Sequence, residues 1–232
     1  MTPAEFAVNV FIALFALIDP IGNVPVFAAA TQGASPNGRR LVALYISAFV
    51  LAFLAFFYFS GVALLQFFGI SLPAFRIAGG ILLLLLGLDM TRHDITAAFA
   101  GGPAAPEGET AGGYAMRRFE GMVVPFAMPL LIGPGAISAV VIYAAQAKKL
   151  GMAWTAAGLG AIGAVSVLTL LILLLTPLIS KVLGRVGLII TVRVAGLILC
   201  AMAVQFIIVG VNDATRGLVR QSVAAPYADS KR

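Results

Sequence analysis

The sequence predicts an all-α membrane protein of six transmembrane helices in an inverted 3+3 repeat, with helices one and four broken near the bilayer midplane. Three observations predict it. First, the 232-residue chain is 61% hydrophobic and 10% charged, with mean hydropathy +1.06, whereas a soluble domain carries roughly a quarter charged residues. Second, six apolar runs reach the roughly 20 residues that a bilayer requires. Third, the first run of each half carries helix-breaking residues at its centre, and the third run of each half carries the same short motif.

The runs fall at about 6–30, 41–68, 72–90, 121–147, 152–179 and 186–211. Run one contains Asp19-Pro20-Ile21-Gly22-Asn23-Val24-Pro25. Pro20 and Pro25 each lack a backbone N–H and clash with the preceding turn, so the helix breaks there. In hydrocarbon a broken backbone survives only under protein or in a watery cavity, and an ionisable residue at that depth marks a functional site. No Lys or Arg precedes Arg39, and the first run is longer than a signal-peptide core, which reads as a retained span. Ser35 to Arg40 reads as a turn, as does Gly69 to Pro73. The connection from Thr91 to Glu120, rich in Gly and Pro between Gly101 and Glu109, reads as a flexible linker. It divides a first repeat, 1–90, from a second, 121–212, which a polar tail, 213–232, follows.

The second half echoes the first. Arg76-Ile77-Ala78-Gly79 in run three returns as Arg193-Val194-Ala195-Gly196 in run six, and Gly133-Pro134-Gly135, with Ser138 beyond it, interrupts run four. Three spans is an odd number, so the second half crosses the membrane in the opposite sense, a common plan for secondary transporters. The midpoints of runs one and four fall near Ile18 and Pro134, so both breaks meet near the bilayer centre. One face collects Arg39, Arg40, Arg92, Arg117, Arg118, Lys181 and Arg185, against Lys148, Lys149, Arg216 and Arg220 on the other, with Lys231 and Arg232 at the edge of the countable window. The first is then cytoplasmic and both termini lie outside. The formal charge of +6 belongs to loops that meet anionic lipid rather than nucleic acid.

The candidate substrate-binding residues are Asp19, Gly22, Asn23, Gly133, Gly135 and Ser138. Asp19 and Asn23 turn towards a common cavity, or else Asp19 caps the second half-helix and Asn23 serves the turn. Glycines at the second break permit close backbone approach, and N–H groups at a half-helix start favour a carboxylate; the plain alternative is a packing kink. Arg76 and Arg193 either snorkel to the interface, act as gating or ion-pair residues with Asp19 or helix-end carbonyls as partners, or contact the substrate directly. Asp89, Asn212 and Asp213 read as interfacial or helix-end groups, and Tyr45, Tyr58, Tyr143 and Trp154 as an aromatic belt in which Tyr58 is deep. His93 and Asp94 are too isolated to hold a metal, and no cofactor is expected. Cys200 stands alone, no second deep carboxylate faces Asp19, and no G-x-x-x-x-G-K-[ST] segment is present, which argues against an intramembrane enzyme and an ATP-driven pump.

The segments D-P-I-G-N-V-P-V-F, from Asp19 to Phe27, and P-L-L-I-G-P-G-A-I-S, from Pro129 to Ser138, resemble the MarC family of bacterial inner-membrane proteins. The resemblance extends to the six spans, the length and the R-x-A-G element of both halves. The family is grouped with LysE-type exporters, and relatives are described as transporters of small neutral amino acids such as glycine and alanine. The resemblance therefore implies a secondary transporter in the inner membrane for such a solute, held between the two discontinuous helices. H⁺ or Na⁺ coupling, homo-oligomerisation, export of another small solute, and a non-transporting scaffold or regulatory role all stay open.

Overall fold

The computed structural model describes residues 1–92, 110–123, 127–128 and 131–215. Secondary structure among them is helical throughout. The helices are α1 (Pro3–Ile18), α2 (Val24–Ala30), α3 (Pro36–Phe67), α4 (Leu72–Arg92), α5 (Ala111–Met122), α6 (Pro134–Leu150), α7 (Met152–Leu174) and α8 (Thr176–Ala214).

Among the described residues, four segments are long and apolar enough to cross a membrane: Pro36–Phe67, Leu72–Arg92, Met152–Leu174 and Ile189–Ala214. The first and fourth apolar runs do not form single spanning helices. At a rise of 1.5 Å per residue, α1 and α6, of 16 and 17 residues, are about 24–26 Å long, short of the roughly 30 Å hydrocarbon core.

The ends follow local chemistry. Thr2 and Glu5 form a reciprocal capping box before α1, with Glu5 N donating to Thr2 Oγ1 and Thr2 N to Glu5 Oε2, which satisfies two orphan donors. The expected turn from Ser35 to Arg40 is instead the start of α3. Ser35 Oγ accepts from Gly38 N at 3.1 Å and Pro36 occupies the first turn, so the reversal falls at Gly33, whose φ is +78°. The expected linker is also shorter than 91–120, because α4 continues to Arg92 and α5 opens at Ala111 behind the N-cap Thr110. Its remaining residues, 93–109, with His93 and Asp94, lie outside the described residues, as does the tail beyond Thr215. Run five divides at Leu175, where α8 begins with Pro177 in its first turn, and α8 bends at Gly184 (φ 61°).

The most extensive helix–helix contact among the described residues is the antiparallel pair of α4 and α8. Pro73 and Ile77 lie beside Gly210, Gly80 beside Ala203 and Ile207, and Gly87 beside Gly196 and Cys200. A Cβ on Gly80 would stand 2.8 Å from the Ala203 carbonyl, and one on Gly196 2.9 Å from that of Gly87. Small residues let two backbones meet where lipid supplies no hydrophobic drive. α6 packs on α4, α2 on α8, α1 on α6 and α7, and α3 on α5, α6 and α7. Phe6, Leu14, Ile18, Phe27, Leu83 and Leu131 are fully buried between them.

Candidate functional site

α1 stops because the chain turns left-handed. Asp19 has φ 42° and ψ 61°, a positive φ found at no other non-glycine residue among those described; Asp is one of the few side chains that tolerate this region. Its Oδ1 accepts from Gly22 N at 3.1 Å and closes the turn. Asn23 folds back across the end of α1, and its Nδ2 donates to the carbonyls of Ile18 (3.1 Å) and Asp19 (2.9 Å). The Asp19 carbonyl also accepts from Asn23 N at 3.2 Å, whereas the Ile18 carbonyl lies in the last turn, where the helix supplies no N–H. Asn23 is buried, and its Oδ1 has no hydrogen-bond partner. Gly22 lies against the Asp19 carboxylate, and a Cβ there would stand 2.6 Å from Ala195 Cβ. The Ala195 of the repeated motif is thus the surface on which the first interruption rests.

The second interruption ends at Gly133, extended at φ −73° and ψ 168°, with no side chain capping α6. Ser138 is fully buried, and its hydroxyl has no partner. A Cβ on Gly135 would lie 3.0 Å from Leu83 Cγ and 3.1 Å from Leu17 Cδ2. The last turn of α1, the first turn of α6 and the middle of α4 therefore meet at one place. Phe6 and Tyr143, with ring centroids 5.7 Å apart, show α1 and α6 running antiparallel away from it.

Beside this junction lies a cavity of about 250 Å³, bounded by α1, α4, α6 and α8. Leu17 and Ala139 adjoin the junction, and Arg76, Tyr143, Gln146 and Gln205 supply its polar groups. At about 30 Å³ per water it has room for roughly eight waters, the scale of a small solute rather than the larger pockets of drug-sized ligands. Asp19, Gly22, Asn23, Gly133, Gly135 and Ser138 surround the junction but do not line this cavity. Pro20, Pro25 and Pro134 set the chain direction around it.

The two arginines part company. Arg76 Nη1 donates to Asp213 Oδ2 at 2.6 Å. It pairs with Asp213 rather than Asp19, because antiparallel packing brings the end of α8 beside the first turn of α4. Arg193 is exposed and forms no ion pair among the described residues. Tyr143 lines the cavity wall, while Tyr58 is buried and donates to the Thr155 carbonyl at 3.2 Å. The sequence signal for the cavity is a helical stripe, 139-142-143-146 on α6 facing 202-205-206-209 on α8, at the spacing of one helix face. No group of three or more His, Cys, Asp or Glu that could hold a metal is found among the described residues.

A family model described as "MarC family integral membrane protein" matches residues 4–215. A UPF0056 membrane protein of Methanocaldococcus jannaschii is 38% identical over 212 residues, 90% of this chain and 98% of its own length. A second, of Aquifex aeolicus, is 34% identical over 206 residues, 89% of this chain and 92% of its own. The UPF0056 membrane protein YhcE of Escherichia coli is 31% identical over 212 residues, with coverage of 90% and 93%. These names state a membrane protein and no substrate, and they span archaea and bacteria. No solved structure matches the chain.

Proposed function

The chain belongs to the MarC family of integral membrane proteins, and from that premise we propose that it is a secondary transporter of small neutral amino acids such as glycine or alanine. The observation that carries this reading is the meeting of α1's end and α6's start beside a cavity of about 250 Å³. Transporters place solutes where half-helix ends converge, because those ends offer unpaired backbone groups and partial charges. Here the α6 start has no side-chain cap, and the buried Ser138 hydroxyl and Asn23 Oδ1 stand without partners near the two interruptions. A zwitterion fits such chemistry, its ammonium towards Asp19 or freed carbonyls, its carboxylate towards N–H groups at the second interruption or a cation of the cavity wall.

An inverted 3+3 repeat is supported by the packing. α1 on α7 has its counterpart in α5 on α3, and α2 on α8 in α6 on α4; α3 with α7 and α4 with α8 pair equivalent helices. The sequence adds a matching Pro-x4-Pro spacing, Pro20 with Pro25 and Pro129 with Pro134. In this arrangement the two interrupted runs each supply one crossing, for six in all. The end bearing Arg39, Arg40, Arg92, Arg117 and Arg118 faces the cytoplasm, which puts both termini on the other side. Coupling to H⁺ runs through Asp19, or to Na⁺ through carbonyls at the interruptions.

Uptake of radiolabelled alanine and glycine into proteoliposomes tests the function. Saturable uptake, absent from empty liposomes and competed by the unlabelled solute, is expected. No flux of these or of other small amino acids, in either direction and with imposed H⁺ or Na⁺ gradients, overturns it.

A further inference from the structure

We propose that Arg76 is the carboxylate receptor of the cavity and that Asp213 is its built-in competitor, which a carboxylate-bearing solute displaces. The assignment rests on the reading of the cavity as a solute site, and it names the group that selects the solute there.

Arg76 both lines the cavity and forms the ion pair with Asp213. Guanidinium has five N–H donors in a fixed fork suited to two carboxylate oxygens. The pair uses one contact, Nη1 to Oδ2, and no other hydrogen bond to Arg76 occurs among the described residues. Most of the fork is therefore open to another acceptor. Asp213 belongs to the last turn of α8 and its side chain is 42% exposed, against 18% for Arg76. A carboxylate that can hydrate on release is a displaceable partner, whereas the arginine stays at the cavity wall. The other lining polar groups, Tyr143, Gln146 and Gln205, are neutral, so Arg76 supplies the cavity's formal charge. Leu17, Ile142, Met202 and Phe206 give the rest of the wall an apolar character, which suits a short alkyl group.

Displacement also does something a static pair does not. While Asp213 holds Arg76, α4 and α8 are tied at this end; a solute carboxylate on Arg76 releases Asp213 and the tie. Binding thus biases the seam between equivalent helices of the two halves.

The test is calorimetric titration of the full chain in lipid nanodiscs with alanine, propionate and alaninamide, which lacks the carboxylate. Alanine and propionate are expected to compete for one site, with alaninamide at least tenfold weaker. Arg76→Gln should lower alanine affinity at least tenfold, and Arg76→Lys should recover part of it. Asp213→Asn should raise alanine affinity threefold or more, because the competitor is gone; a purely structural pair predicts the opposite sign. Equal affinity for alanine and alaninamide, binding of none of the three, or weakening in Asp213→Asn overturns the proposal. Should Arg76→Gln not fold, the sign in Asp213→Asn decides. Flux without this pattern removes the Arg76 assignment and leaves transport standing; the pattern without flux does the reverse.

Discussion

Asp19 and Asn23 are four residues apart and do unlike things. Asp19 uses one oxygen to close the turn on Gly22, and Asn23 spends its amide N–H groups on the carbonyls at the end of α1. Asp19→Asn separates geometry from charge, since asparagine keeps the Oδ1 acceptor and tolerates a positive φ. Proteoliposomes carrying Asp19→Asn should lose alanine uptake while the protein's melting temperature stays within a few degrees of wild type; undiminished uptake would reduce Asp19 to a turn residue. Asn23→Ala removes one buried and one partly buried hydrogen bond, at about 1 kcal/mol each, so its loss should appear first as lower thermal stability in detergent. An Asn23→Ala variant as stable as wild type contradicts the capping role. Both side chains stand out in the sequence as polar groups inside an apolar run, but which carbonyl Asn23 seeks depends on the left-handed turn at Asp19, and composition does not disclose that.

At the scale of elements, the α4–α8 seam decides the architecture. Gly80 and Gly87 face partner backbone at 2.8 Å from an added Cβ, whereas Gly160 on α7 has nothing within 4 Å. Gly80→Ala and Gly87→Ala should each destabilise by about 1–3 kcal/mol through overpacking. Gly160→Ala should be neutral or stabilising by up to about 1 kcal/mol, through helix propensity alone. Thermal unfolding of the three variants checks the contrast, and equal effects would mean the seam is not close-packed. Helix ends are legible where Pro20 and Pro134 mark them, whereas Ser35 before Pro36, which reads as a turn, opens α3. The cavity is not, because its lining of Ala, Leu, Tyr and Gln is ordinary and is assembled from four helices distant in sequence. The partner of Arg76 is likewise hidden, since 137 residues separate it from Asp213 and only the antiparallel register joins them.

For the whole molecule, two ends can be told apart. Met1 accepts from Trp154 Nε1 at 3.3 Å, which groups the N-terminus with the α6–α7 turn. Arg118 Nε donates to the Ala30 carbonyl at 2.5 Å, which groups α5 with the end of α2 at the opposite pole. Cysteines placed at Gln32 and at Met152 in a Cys200→Ala background should therefore react with impermeant maleimide from opposite sides of the membrane, Met152 from outside. Same-side labelling would break the six-crossing topology. The central claim, that the cavity beside the junction of α1 and α6 alternates between the two sides, is tested most directly by one further cysteine, at Ala13 in the cavity wall. Ala13→Cys should be modified by an impermeant thiol reagent from either side of the membrane in turn, with alanine slowing both reactions. Modification from one side only, at a rate alanine does not change, would contradict it.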